Sequence, residues 1–120
     1  MIYAIAPDVS ASEVTVIKFG KSKNPMERLC ALQSGNAVRL KIYAEVDWPD
    51  SFERRIHDRF ASKRQVGEWF SVDDEIHDFM NLMIGHPQEA KAFLDQAGLD
   101  ITAFVDFLIA ERETTPISES

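Results

Sequence analysis

Residues 14–28 do most to constrain what this chain can become. Val14-Thr15-Val16-Ile17 is strongly β-forming, and the run ends at Phe19-Gly20. Lys21, Ser22 and Lys23 follow at once. Asn24 and Pro25 then offer a helix N-cap and a first helical residue whose φ is already set. Strand, glycine turn and helix therefore succeed one another in a single short stretch, and Gly35 closes the helix. This order brings Lys18, Lys21 and Arg28 near one strand-to-helix turn. Cations gathered in that way can hold a phosphodiester.

The rest of the chain builds around that unit. Residues 1–6 read as a strand, and the link through Pro7, Asp8 and Ser10 is short. An antiparallel hairpin with residues 14–19 is the economical pairing. Residues 39–46 set Leu40, Ile42, Ala44 and Val46 against Arg39, Lys41, Tyr43 and Glu45, the pattern of a half-buried strand. Trp48-Pro49-Asp50 breaks it and starts a helix over about 51–62, with Phe52, Ile56 and Phe60 on one face. A turn at Gly67 leads into a short aromatic segment in which Trp69 and Phe70 are core anchors. Ser71 is expected to cap a third helix, with Asp73, Asp74 and Glu75 at its positive end and Ile76, Phe79, Met80 and Met83 as its apolar stripe. Pro87–Ala97 reads as a fourth helix stopped by Gly98. A fifth runs from Asp100 to about Glu111, with Ile101, Phe104, Val105, Leu108 and Ile109 at helical spacing. In the first helix Met26, Leu29, Cys30 and Leu32 suit one buried face.

Cys30 is the only cysteine, so an intramolecular disulfide is impossible, which fits a reducing, cytoplasmic setting. No apolar run approaches the roughly 20 residues that span a bilayer, so no membrane partner is expected. The net charge of −7 argues at first against a nucleic-acid partner. Its distribution weakens that objection. Residues 1–70 hold 11 Lys/Arg and 9 Asp/Glu, whereas residues 71–120 hold 2 and 11. The acid lies in the C-terminal part, and the N-terminal part can still present a basic face.

Taken in order, several motifs resemble the GIY-YIG nuclease superfamily. Met1-Ile2-Tyr3 stands where that family has Gly-Ile-Tyr, and Lys18-Phe19-Gly20 where it has Tyr-Ile-Gly. Gly20-Lys21-Ser22-Lys23-Asn24, with Arg28 four residues later, is similar to the Gly-Lys-Ala-x-Asn…Arg signature of the excision-repair incision members. Leu32-Gln33-Ser34-Gly35-Asn36, Glu53-x-x-Ile56-His57 and Gly67-Glu68-Trp69-Phe70 look like a branch found in phage and bacterial proteins. The chain departs from the pattern at Met1 and, in the second motif, at Lys18.

The resemblance implies an α/β (α+β) fold, with a small, mainly antiparallel three-stranded sheet flanked by helices. Residues 1–84 would form the nuclease domain; beyond the family pattern, the residues themselves read as an acidic helical extension over 85–112 and a polar, disordered tail over 113–120. The implied activity is Mg²⁺- or Mn²⁺-dependent hydrolysis of DNA phosphodiesters. Glu53 would hold the metal, a role suited to a hard carboxylate. The alternative for Glu53 is a capping box with Asp50. Tyr3 would position or activate the attacking water, helped by Lys18 across the hairpin; its alternative is a half-buried strand aromatic. Arg28 and Lys21 would meet the phosphoryl oxygens, and otherwise are solvated surface cations. His57 lies one helical turn after Glu53 and either serves the site or is a satisfied, semi-buried histidine. Glu68 stays open. Lys23, Arg39, Lys41, Arg55, Arg59, Lys63 and Arg64 are candidates for contacts to the DNA backbone, with Arg54 beside them. One Cys and three scattered His offer no ligand pair at zinc spacing.

Two rival readings remain. One is a nucleic-acid-binding module without cleavage. The other is a phage or mobile-element accessory protein whose acidic helices bind a protein partner. A chain of this size that cuts both strands is also expected to act as a homodimer.

Overall fold

The computed structural model describes residues 1–96 and 100–114. Four strands, β1 (Ile2–Pro7), β2 (Val16–Lys21), β3 (Leu40–Val46) and β4 (Trp69–Ser71), form one antiparallel sheet in the order β3-β1-β2-β4. The helices are α1 (Pro25–Ser34), α2 (Ser51–Arg59), α3 (Asp74–Gly85), α4 (Pro87–Leu94) and α5 (Ile101–Thr114). The architecture is α+β, as expected, with one strand more than the three expected. β4 pairs with β2, Val16 to Ser71 and Lys18 to Trp69. Three residues are too few to show a two-residue period. Trp69 and Phe70 instead go one to each face of the sheet.

β1 lies inside the sheet and is covered on both sides, which explains its unbroken apolar sequence. Ile2, Ala4 and Ala6 join the main core with Ile17, Phe19 and Phe70, while Tyr3 and Ile5 face α1 together with Leu40. The alternation in β3 is deceptive. Ala4 is opposite Ala44 but Ile5 is opposite Ile42, so Tyr43 is an extra residue. The bulge turns the strand over. Leu40 and Ile42 therefore belong to the α1 side, and Ala44 and Val46 to the main core.

The main core is a run of touching rings from Phe19 through Phe60, Phe70, Phe79 and Phe93 to Phe104. Ala90 and Phe93 of α4 and Ile101 and Phe104 of α5 belong to this same cluster. The predicted face of α1 is corrected: Met26 is 57% exposed, and Cys30 is exposed with it. Only Leu29 and Leu32 pack inward, because α1 covers a small patch of the sheet and Met26 and Cys30, four residues apart, lie on its outer stripe. Gln33 ties the helix down, accepting from the Leu40 amide at 2.7 Å and donating to the Val38 carbonyl at 2.9 Å.

Asn24 caps α1 through the Glu27 amide, and Gly35 ends it. The cap of α3 is Asp73, which accepts from the Ile76 amide at 3.0 Å, and not Ser71, which is held in β4. α2 stops at Arg59 and continues as a 3-10 turn over Ala61–Lys63. α5 reaches Thr114, and Ile109 on it is 47% exposed, outside the expected stripe. The tail expected to be disordered over 113–120 is corrected at its start, since Glu113 and Thr114 are the last residues of α5; its remainder, 115–120, and the helix stop at Gly98 fall outside the described residues.

Candidate active site

The site begins at the pairing of Tyr3 with Gly20. Both lie on the α1 side of the sheet, and the phenol lies across the glycine. A Cβ at residue 20 would overlap the Tyr3 hydroxyl. Tyr3 is 1% exposed. Burial pushes its phenol above the ordinary value of 10.0. Arg28, in the first half of α1 and within hydrogen-bonding reach, opposes the shift; the nearby Glu68 and Glu53 carboxylates add to it. The cation that serves Tyr3 is therefore Arg28. Lys18, expected to help across the hairpin, turns to another partner.

α2 brings Glu53 and His57 to the edge of β2. His57 is 8% exposed, with its ring 5.2 Å from the Phe70 ring and its Nε2 2.8 Å from the Phe19 carbonyl oxygen. A carbonyl only accepts, so Nε2 donates. The Phe19 carbonyl sits past Lys18, where β4 pairing has ended. His57 is thus satisfied by backbone, and it also lies beside Glu53 and Glu68. Asp50 has helical backbone angles and makes no side-chain cap bond, so the capping box is not formed. The Glu53 carboxylate makes no hydrogen bond or ion pair among the described residues.

Glu68 is the residue that sequence reasoning left without a role. Gly67, at φ +64, makes the turn that sends it inward, and Arg64 Nε donates to the Gly67 carbonyl at 2.6 Å. Because Trp69 pairs with Lys18, the residue before it arrives beside the Lys18 side chain. Lys18, 5% exposed, donates to Glu68 Oε1 at 2.5 Å. Burial raises the Glu68 pKa, but the Lys18 hydrogen bond and charge, with His57 and Arg28, outweigh it. The net shift is downward. One donor atom each of Glu53, His57 and Glu68 lies within 4.8 Å of the others. The signal for Glu68 was its place immediately ahead of a strand residue in Gly67-Glu68-Trp69-Phe70.

The other candidates divide. Lys21 ends β2 exposed, opposite Ile2, and by strand alternation leans away from the Tyr3 face. Lys23 and Arg39 are exposed. Lys41 reaches Asp8 at 4.0 Å and lies over the Tyr43 ring. Arg55 pairs with Asp95 at 2.5 Å, Arg54 with Asp58 at 3.3 Å, and Lys63 is held between Asp73 and Glu75. Arg59 stacks on Phe93, with its guanidinium 4.3 Å from the ring centre. Much of the basic sequence is thus spent on the protein's own acids and rings. Arg64 is exposed and bonds the Gly67 carbonyl, and the remaining exposed cations, Lys21, Lys23, Arg28 and Arg39, lie around α1.

An antiparallel sheet that gathers Tyr3, Lys18, Arg28, Glu53, His57 and Glu68 at one edge defines a small α+β domain with a single charged cluster of this composition among the described residues. The sequence profile of the T5orf172 domain matches residues 1–94, and the chain belongs to that family. The match runs from β1 through α4. No curated protein and no solved structure matches the chain. No helix among the described residues is long and apolar enough to cross a membrane.

Proposed function

We propose that the chain is a divalent-metal-dependent DNA nuclease working on the GIY-YIG plan. The observation that carries this reading is the convergence of a buried tyrosine, an arginine, a lysine, a histidine and two glutamates, from five separate segments, on the notch above Gly20. Five segments meeting at one point is costly to build for stability alone, since the buried Tyr3 and Lys18 need polar partners.

The donor set suits a metal of the Mg²⁺ or Mn²⁺ kind. Two carboxylates supply hard oxygens, and an imidazole nitrogen is tolerated better by Mn²⁺ than by Mg²⁺. Glu53, without another partner, would hold the ion, with His57 and Glu68 beside it. Such an ion neutralises phosphoryl charge and makes bound water a stronger nucleophile near neutral pH. Tyr3 keeps its proton at neutral pH, because burial and the carboxylates hold its phenol above 10.0. It would therefore orient water through its hydroxyl. Arg28 supplies fixed donors to the oxygens that gain charge. His57, fixed by the Phe19 carbonyl, keeps α2 and Glu53 at the edge of β2.

The test is cleavage of supercoiled and branched DNA with Mg²⁺ or Mn²⁺. Wild type should cut, Glu53→Ala should be inactive while folded, and Arg28→Ala should lose about 10²–10³-fold in rate. Equal cleavage by wild type and Glu53→Ala would sink the reading. A second reading, binding without cleavage, draws on the Lys18–Glu68 pair, which neutralises the residue standing in the second motif. It predicts salt-sensitive DNA binding with no metal-dependent cutting.

A further inference from the structure

We propose that Glu68 is shared between the Lys18 ammonium and the divalent cation, so that cation binding at Glu53 releases Lys18 toward the phosphodiester. The proposal rests on the nuclease reading and adds a coupling that neither the fold nor the family supplies. Lys18 is almost fully buried and needs an anion, since an unpaired charge in that position is strongly destabilising. Glu68 provides it, at 2.5 Å. Yet the same carboxylate lies within 4.8 Å of the donor atoms of Glu53 and His57. Two carboxylates that close repel unless a cation stands between them. Lys18 pairs with Glu68 and not with Glu53.

Both partners have the freedom to exchange. Glu68 follows the Gly67 turn, and its side chain is 37% exposed. Lys18 has a long stem and shares the sheet face of Tyr3, two residues along β2 from Gly20. When Glu68 turns to the cation, the ammonium is left beside the place where a phosphate would meet Arg28. A phosphate that takes Lys18 leaves Glu68 in need of a cation in the same way. Metal and DNA therefore each remove one member of the pair, and each favours the binding of the other.

The experiment is a titration of the free protein with Mn²⁺ alone, read by electron paramagnetic resonance, on wild type, Lys18→Met, Glu68→Gln and the double variant. Lys18→Met should bind Mn²⁺ on the order of tenfold more tightly, the size expected for losing one charge-assisted hydrogen bond to the competing group. Glu68→Gln should bind more weakly by a similar factor. In the Glu68→Gln background the Lys18→Met gain should vanish. A gain that persists there shows that Lys18 acts only through its long-range charge and overturns the proposal. So does an unchanged affinity in Glu68→Gln. Circular dichroism confirms folding, and Glu68→Ala stands in should Glu68→Gln not fold. The cleavage assay is read separately: wild type that cuts, with Mn²⁺ affinity blind to Lys18 and Glu68, sinks the sharing and leaves the nuclease reading intact.

Discussion

The narrowest constraint in the site is one missing methyl group. Tyr3 reaches its position because Gly20, its partner across the hairpin, has no Cβ. Gly20→Ala forces the buried phenol to move, and overpacking of this sort costs about 1–3 kcal/mol. The variant should melt at lower temperature and lose most of its cleavage, since the hydroxyl leaves Arg28. Gly35→Ala is the matched control: φ is −105 there, and nothing stands within 4 Å of the added atom. It should cut DNA as wild type does. Tyr3→Phe removes only the hydroxyl, and should stay folded while losing activity. Wild-type cleavage by Gly20→Ala would mean that the Tyr3 position is irrelevant to the chemistry.

At the scale of the elements, α1 carries Arg28 in its first turns, so the start of that helix matters to the site. Asn24 Oδ1 accepts from the Glu27 amide at 3.3 Å. Asn24→Ala should cost about 1 kcal/mol in urea denaturation, the usual worth of an N-cap. It should also lower cleavage more than a cap distant from the site, such as Asp73→Ala. An equal effect of the two on cleavage would separate α1 from the reaction. The start and stop of α1 were legible in the sequence, because Asn24, Pro25 and Gly35 act locally, whereas at α3 Ser71 and Asp73 both had capping side chains and only the pairing of β4 decides for Asp73. That Tyr3, Lys18, Arg28, Glu53 and His57 come together was legible through the family resemblance. What stayed hidden depends on contacts far apart in sequence. The bulge at Tyr43 leaves the alternation of β3 intact on paper while reversing its faces. β4 is too short to announce itself, and the role of Glu68 follows from β4. Cys30 and Met26 fit a helical period as well as Leu29 and Leu32 do, and only the narrow footprint of α1 on the sheet decides between the stripes.

Across the whole molecule, ion pairs tie α2 and the turn after it to segments that follow in the chain. Basic residues near α2 meet acids that come later: Arg55 with Asp95, and Lys63 with Asp73 and Glu75. The hydrogen bond that Lys63 donates to Glu75, with the one to Asp73 behind it, raises the Lys63 pKa against the opposing effect of burial. Its contribution is complete below the unfolded value of 10.5 and is lost as pH rises through the higher folded value. Burial pushes Asp73 up, but the Ile76 amide and Lys63 outweigh it and the net shift is down. Its contribution is present above the unfolded value of 3.8 and is lost as pH falls through the lower folded one. Asp78 on α3 runs the other way. Burial raises its pKa, His77 opposes, and Asp74 and Asp106 add to the rise. A carboxyl whose folded pKa lies above its unfolded value destabilises the fold when charged, and that cost disappears as pH falls through the folded value toward 3.8. Asp78→Asn should therefore raise the melting temperature at pH 7, where the acid-rich C-terminal part repels itself most. The gain should shrink to nothing in melts near pH 3, where both states of the wild type carry a neutral carboxyl. A gain of the same size at both pH values would assign the effect to packing between α3 and α5 and not to charge.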